Sequence, residues 1–406
     1  MAVADRYDAF LLDLDGVLYR GDEPVEGAPG TVEYLREHGK RLAFVTNNSA
    51  RTPEQIADKL GTVGVTARPE EVVTSALATA SVIAARGGGS AFVIGEAGIR
   101  SALEASGVAV LDGDPDHVDF VVVGWDRGVD YDKLRTAALM VQRGASLVAT
   151  NGDRSYPASD GLWPGAGALL AVLTTTLGRP ADEIVGKPHP TLYRTALERA
   201  GGGRPMVVGD RLDTDIAGAV PLGWDSLLVF TGVAKPPDVL RSRVIPTYVG
   251  RDLSVLRSEL PTVRTAEGLD VSRIESLLRA AGLSSDGVDE RLADTFAAGL
   301  NESDRVVGTA SLELFGRTAH LRSVAVDPAC RGANLGTLLV ARAAQRARER
   351  EADEIYAVTE DAVRFFERIG FVRMGGKDSL PPEIASTPMV RKHCSAAAVT
   401  LRLALG

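Results

Sequence analysis

Asp13 and Asp15 flank Leu14 at the end of the apolar run Phe10, Leu11 and Leu12. Such a run reads as a strand buried in a core. Two carboxylates spaced by two residues point the same way if the strand continues, and like charges repel. The pair therefore asks for a cation, or for a proton on one of the acids. Other apolar runs also end in polar residues. "RLAFVTNNS" closes in Thr46, Asn47, Asn48 and Ser49, and "DEIVGKPHP" delivers Lys187. "PMVVGDRLDTDI" delivers Asp210, with Asp213 and Asp215 just beyond.

An acid pair, a hydroxyl beside amides, a lysine and further acids form a set suited to phosphoryl transfer. A dianionic phosphate needs an electrophilic clamp, which Mg²⁺ held by carboxylates supplies. Asp13 and Asp210 are candidate metal ligands, with the backbone carbonyl of Asp15 as a third. The Thr46 hydroxyl, the N–H groups at Asn47 and Asn48, and Lys187 are candidate grips on the remaining phosphoryl oxygens. Asp13 is a competent nucleophile that would form an aspartyl-phosphate. Asp15, its pKa raised by neighbouring carboxylates, would protonate the leaving oxygen and later deprotonate the attacking water.

These residues need strand ends to hold them. "AFLLDL", "RLAFVT", "AFVIG", "DFVVVG", "SLVAT", "PMVVG" and "SLLVF" each read as a buried parallel strand. Helix-length stretches at residues 53–61, 131–144 and 190–201 lie between them. This alternation predicts an α/β sheet with helices on both faces and ligands outside the carboxyl ends of the strands. Two such series are nested, so residues 91 to about 178 are expected to form a second, inserted sheet.

The four motifs, in this order, resemble those of haloacid dehalogenase (HAD) superfamily phosphatases over roughly residues 7–250. "DLDGVL" matches the nucleophile motif, implying Asp13 as nucleophile and Asp15 as acid/base. "VTNNS" matches the second motif at Thr46 and "GKPHP" the third at Lys187. "GDRLDTDI" matches the fourth, implying Asp210 as a metal ligand and Asp215 as support of the metal shell. "TNNS", "GKPHP" and "ATNGDRSYPASDGLWPGAGAL" are similar to the p-nitrophenylphosphatase and phosphoglycolate phosphatase-like branch. The resemblance implies a Rossmann-like core at residues 1–76 and 183–260, with an α/β cap inserted at 77–182. It also implies a small phosphorylated metabolite as substrate, glycerol 3-phosphate first, with phosphoglycolate, sugar phosphates and nucleotides as alternatives. Trp163 and His189 read as packing and loop-shaping residues, and Asn151 as a turn cap.

Beyond about residue 260 the pattern changes. Two helices are expected within residues 266–299, at "LDVSRIESLLRAAG" and "DERLADTFAAG". An antiparallel hairpin, "RVVGTASLELFG" with "RTAHLRSVAVDP", and a helix over 335–350 follow. The turn at 331–336 would aim backbone N–H groups at an anion on the helix N-terminus. This part, residues 265–406, resembles the GNAT acyltransferase family, an α+β fold. The resemblance implies an acyl-CoA turn at Arg331, Gly332 and Gly336, and acetyl-CoA as its ligand. Two departures favour a regulatory or packing role over acetyl transfer. Asn334 replaces the first glycine of the turn, and Phe366 stands where many members carry a proton-donating tyrosine. Glu313 is a candidate base or a solvated strand residue.

Composition sets the outer bounds. A chain of 406 residues with 45% apolar content is expected to form two or three folded domains. A net charge of −9 argues against nucleic-acid and acidic-membrane surfaces. No secretory signal or membrane-spanning run is expected, and the distant Cys330 and Cys394 suit free thiols. A soluble cytoplasmic enzyme is the expectation. The rival readings are an acetyltransferase whose other half senses phosphometabolites, and a phospho-relay receiver, which leaves Asp15 and the cap unexplained.

Overall fold

Ala9–Leu12 is a strand buried along its full length, and it ends one residue before Asp13. Asp13 and Asp15 thus lie beyond the ladder, on a turn that Gly16 closes with φ of 79°. A side chain at that left-handed φ would be strained, so glycine suits the position. The computed structural model describes residues 1–158, 160–300 and 305–406. The chain divides into two compact units, Arg6–Ser226 and a second made of Met1–Asp5 with Leu227–Gly406.

In the first unit, Ala9–Leu12 lies between Arg41–Thr46 and Pro205–Gly209, and Val72–Thr74 lies outside Arg41–Thr46. All these pairings are parallel, and the central strands are buried on both faces, as their unbroken apolar runs require. The register sets Leu12 beside both Val208 and Phe44. The residues that follow, Asp13, Thr46 and Asp210, therefore emerge together at the carboxyl ends.

A second parallel sheet interrupts the first. Its order is Glu183–Ile184, Ser146–Ala149, Phe120–Val123, Ser90–Ile94 and Ala109–Leu111. Helices Tyr131–Gln142 and Ala166–Leu177 cover a core of Phe92, Ile94, Val121, Val123, Met140, Leu147, Leu170 and Leu173. The helix Ser75–Ala85 runs between the two sheets. Its small residues Ala76, Ala78 and Ala80 and its Ile83 share one apolar cluster with strands of both.

The second unit is built on a sheet of seven strands ordered Thr262–Thr265, Thr295–Gly299, Val306–Phe315, Thr318–Val326, Glu354–Thr359, Val399–Ala404 and Val372–Gly375. Every pairing is antiparallel except Thr318–Val326 with Glu354–Thr359. That parallel pairing runs from Thr318↔Glu354 to Leu321↔Ala357 and no further among the described residues. The helix Leu335–Glu349 packs Leu335 and Leu339 against Gly308, where a Cβ would come within 2.8 Å of Leu339 Cδ1.

One expectation fails here. "DERLADTFAAG" is not a helix: Asp289–Asp294 is a 3₁₀ turn and Thr295–Gly299 is a strand. The strand pairs on both edges, and Thr295 Oγ1 lies 2.6 Å from Ser311 Oγ. Two ladders and burial of Phe296, Ala297 and Ala298 override a weak local helix preference. Among the described residues no helix is long and apolar enough to cross a membrane.

Candidate active site

Lys187 is the hub of the cleft. Its ammonium donates to Asp13 Oδ1 at 2.5 Å and to Asp215 Oδ1 at 2.8 Å, and its side chain is only 4% exposed. Asp13, Asp210 and Asp215 each bring a carboxylate oxygen within 4.8 Å of the others. Asp215 is held from behind by the Arg211 backbone N–H at 3.1 Å and by the Tyr193 hydroxyl at 3.4 Å. Gly209 permits this approach, since a Cβ there would lie 2.2 Å from Asp215 Cβ. Burial pushes the Asp13 carboxyl well above the ordinary range, with the Lys187 ammonium opposing and the neighbouring acids adding to the rise. Burial alone would strip Lys187 of its proton, but Asp13 and Asp215 outweigh it and hold the ammonium charged.

Asp15 opens onto cleft water, yet the surrounding protein still desolvates it enough to raise its pKa against the pull of Lys187, Arg51 and Lys59. Thr46 is buried, and its Oγ1 accepts the Asn48 N–H at 3.1 Å. Asn48 Oδ1 accepts from the N–H groups of Ala50 and Arg51, which closes the loop after the strand. Asn47 clamps the lysine loop. Its Oδ1 accepts the Lys187 N–H at 2.7 Å, and its Nδ2 donates to the Lys187 carbonyl at 3.2 Å and to Asp153 at 3.0 Å. The structure thus brings Asp13, Lys187, Asp210 and Asp215 into direct proximity. The side chains of Asn47 and Asn48 are engaged within the loops themselves.

A hard, all-oxygen donor set of converging carboxylates suits Mg²⁺, which prefers a few carboxylates together with water and phosphate oxygens. Lys187 pairs with two of the three carboxylates, and oxygens of all three converge, which a divalent cation fits.

Several cleft residues escaped the sequence reading. Asp153 follows the Ser146–Ala149 strand and meets Asn47, and burial raises its pKa. Trp125, just past the Phe120–Val123 strand, stacks on Tyr156 with ring centroids 4.3 Å apart. The Arg127 guanidinium sits 5.3 Å from the Trp125 ring and is anchored by Glu96 at 2.7 Å. Tyr19 has its hydroxyl pKa raised by burial, then by Asp15 and Asp13, with a smaller push from Tyr156. Core and inserted-part residues therefore meet beside the lysine loop, through Asn47 and Asp153. The signal available in the sequence was an aromatic directly after a strand end, in "VVVGWDRG". Trp163 is 39% exposed, and its ring N–H donates to Asp160. Asn151 caps a turn through Asp153 N–H while donating to the Asn47 carbonyl at 2.8 Å.

In the second unit, Gly332 and Asn334 both adopt left-handed φ, 85° and 57°, before the helix Leu335–Glu349. Gly336 lies against Phe365, where a Cβ would approach to 3.0 Å. Phe366 is buried between Phe365 and Phe371, each with its ring centroid 5.1 Å away. Glu313 forms an ion pair with Arg322 at 3.0 Å.

Comparison with known proteins agrees with this geometry. Residues 10–109 match the haloacid dehalogenase-like hydrolase model, 184–256 a further HAD-hydrolase-like model, and 272–371 the acetyltransferase (GNAT) family. An acid sugar phosphatase of Staphylococcus aureus is 42% identical over 63% of this chain and 98% of its own length. A glycerol phosphate phosphatase from Mycobacterium tuberculosis, solved in complex with magnesium, is 30% identical with a TM-score of 0.71. That match covers 91% of this chain and 99% of the other. A thermostable NPPase from Geobacillus stearothermophilus, a double mutant, is 39% identical over 62% of this chain and 98% of its own, with a TM-score of 0.57. The chain belongs to the haloacid dehalogenase-like hydrolases and carries a C-terminal GNAT domain. It is a phosphatase acting on phosphate monoesters.

Proposed function

We propose that this phosphatase hydrolyses a small phosphate monoester, glycerol 3-phosphate first, by way of an aspartyl-phosphate on Asp13. The contact of Lys187 with both Asp13 and Asp215 carries the reading, because it sets the nucleophile among fixed charges. In the first step an Asp13 carboxylate oxygen attacks phosphorus, the ester P–O bond breaks, and Asp15 gives its proton to the leaving oxygen. In the second, Asp15 takes a proton from water, which attacks phosphorus and breaks the bond to Asp13, releasing phosphate. Lys187, the Thr46 hydroxyl and the N–H groups at Asn47 and Asn48 hold the phosphoryl oxygens. Asn47 also positions Lys187 through its backbone. Mg²⁺ would be held by Asp13, Asp210 and the Asp15 carbonyl, with Asp215 behind them, and supplies positive charge against the phosphoryl oxygens.

On this reading, residues 1–76 and 183–260 form the core, 77–182 the cap and 265–406 a GNAT-like domain in a cytoplasmic enzyme, although Glu183–Ile184 pairs with the inserted sheet and so extends the cap by two residues. Likeness to the glycerol phosphate phosphatase over nearly the whole chain favours glycerol 3-phosphate. The acid sugar phosphatase match supports a second reading, sugar phosphates. The C-terminal domain takes a regulatory or packing role, since Phe366 offers no proton and Glu313 is tied to Arg322. Phosphate release measured across glycerol 3-phosphate, phosphoglycolate, sugar phosphates and nucleotides, with and without chelator, tests the reading. The highest kcat/KM should fall to glycerol 3-phosphate and vanish with chelation. Undiminished turnover in chelator removes the metal, and a preference for hexose phosphates selects the second reading.

A further inference from the structure

The inner face of the C-terminal sheet carries a polar strip for which the phosphatase reading has no use. Thr309, Ser311 and Glu313 alternate onto one face of Val306–Phe315. On the next strand Arg322 and His320 stand opposite Ser311 and Glu313. An apolar cluster of Tyr356, Leu380, Ile384 and Val390 flanks the strip on one side. Ile274, Leu277, Leu278 and Val288 belong to the cluster on the other.

Inside the strip the polar atoms are poorly matched. Arg322 is 5% exposed; its Nη1 reaches Glu313 and its Nη2 the Asp286 carbonyl, both at 3.0 Å. The half-buried Arg291 donates to the same Asp286 carbonyl at 2.6 Å. The Nε atoms of both guanidiniums, both ring nitrogens of His320 and the Thr309 hydroxyl are buried, and none has a hydrogen-bond partner among the described residues. His320 itself is only 1% exposed. Buried polar atoms without partners are rare, and an ion is one of the few explanations for a group of them. Guanidiniums stay charged; the carboxylates acting on them are Glu313 and, toward Arg291, Glu290 and Asp289, yet none of these accepts from either Nε–H. His320 adds no charge to the strip. Burial, with Arg322 and Arg291 adding to it, lowers its pKa to about 3 and keeps it a neutral ring able to donate one N–H.

We propose that this strip is a binding site for a small oxyanion, a carboxylate-bearing metabolite first, held by Arg322, Arg291 and His320. Guanidinium N–H groups pair with carboxylates in a planar, charge-assisted geometry that an ammonium does not match. The exposed pair of His393 with Asp286, 3.2 Å apart, stands beside the strip. The site lies wholly in the C-terminal unit and does not depend on how the phosphatase works.

Titration calorimetry on the full chain with malonate and, separately, sulfate tests this. Saturable binding of malonate identifies a carboxylate site, and saturable binding of sulfate a site for tetrahedral oxyanions. Arg322→Gln and Arg291→Gln should each weaken that binding by about ten-fold or more, the worth of one charge-assisted hydrogen bond. Hydrolysis of p-nitrophenyl phosphate should be unchanged in both. If Arg322→Gln does not fold, Arg291→Gln decides the matter, together with the His320 ring resonances, which should shift on anion addition. Absence of saturable binding by either anion, or binding that survives in both variants, overturns the proposal.

Discussion

The phosphatase cleft and the strip on the C-terminal sheet both bury charged groups, but the first gathers acceptors and the second leaves donors without partners. In the cleft, carboxylate oxygens of Asp13, Asp210 and Asp215 converge, and Lys187 pairs with the first and the last. In the strip, Arg322 pairs with Glu313 and Arg291 also lies near Glu290 and Asp289, but the Nε–H groups of both arginines have no acceptor among the described residues. Taking a charge out of water costs several kcal/mol unless something pairs with it. The kind of group gathered therefore points to the ligand: a cation with a phosphate where carboxylates converge, an anion where N–H donors lack acceptors. A third cluster acts as a control. Arg36 and Arg68 share the carboxylate of Glu71; Arg36 Nε too is buried without a partner among the described residues, but Arg68 is 70% exposed and water solvates it.

The largest expected effect lies in the cleft. Asp13→Asn should lower phosphate release by at least about 10⁴-fold, the scale seen when a covalent nucleophile is removed. Its circular dichroism and cooperative melting should stay those of the parent. Normal turnover by the variant would remove Asp13 as nucleophile and with it the account of the cleft's charge.

A smaller loss separates reacting groups from groups that place them. Asn47→Ala removes both side-chain bonds to the Lys187 backbone while leaving every charge in the cleft. A drop in kcat of about ten- to a hundred-fold is expected from misplacing one clamp. The loss should appear with every phosphate ester tested, because Lys187 faces the group they share. A loss confined to one ester would make Asn47 a specificity residue instead.

The smallest effect concerns the exposed control. Burial would raise the Glu71 carboxyl, but hydrogen bonds from Arg36 and Arg68 overcome it and hold the pKa at about 2, below the ordinary 4.5. The stabilisation is therefore complete above pH 4.5 and is lost as pH falls toward 2. Discounted for solvent screening, Glu71→Gln should cost about 1–2 kcal/mol at neutral pH. Denaturant melts of parent and variant should converge as pH is lowered through that window. A gap that stays constant would mean that packing, and not charge, holds the site.

Part of this was legible from short stretches of chain. Asp13, Thr46 and Asp210 each stand at the end of a run of apolar residues, and buried parallel strands end in turns at the same edge of the sheet. Lys187 instead follows Glu183–Ile184 of the inserted sheet. Once "AFLL", "RLAFV" and "PMVV" are strands, their polar successors must emerge together. The hairpin before the Leu335–Glu349 helix was equally plain, because its two strands are long and nearly adjacent. Thr295–Gly299 was not, since its five residues hold a strand only by pairing with Thr262–Thr265 and Val306–Phe315.

The sequence by itself determined which residues stand at strand ends, and so the phosphatase chemistry, because that depends on local runs and the order of motifs. Tertiary structure decided everything that depends on register between distant segments. Lys187 meets Asp215 28 residues away, and Asn47 locks a loop 140 residues further on. Cross-strand pairing sets His320 against Glu313 and Arg322 against Ser311. Which buried polar atoms lack a partner is a property of those pairings. It cannot be read along the chain, because each residue taken singly is an ordinary strand residue.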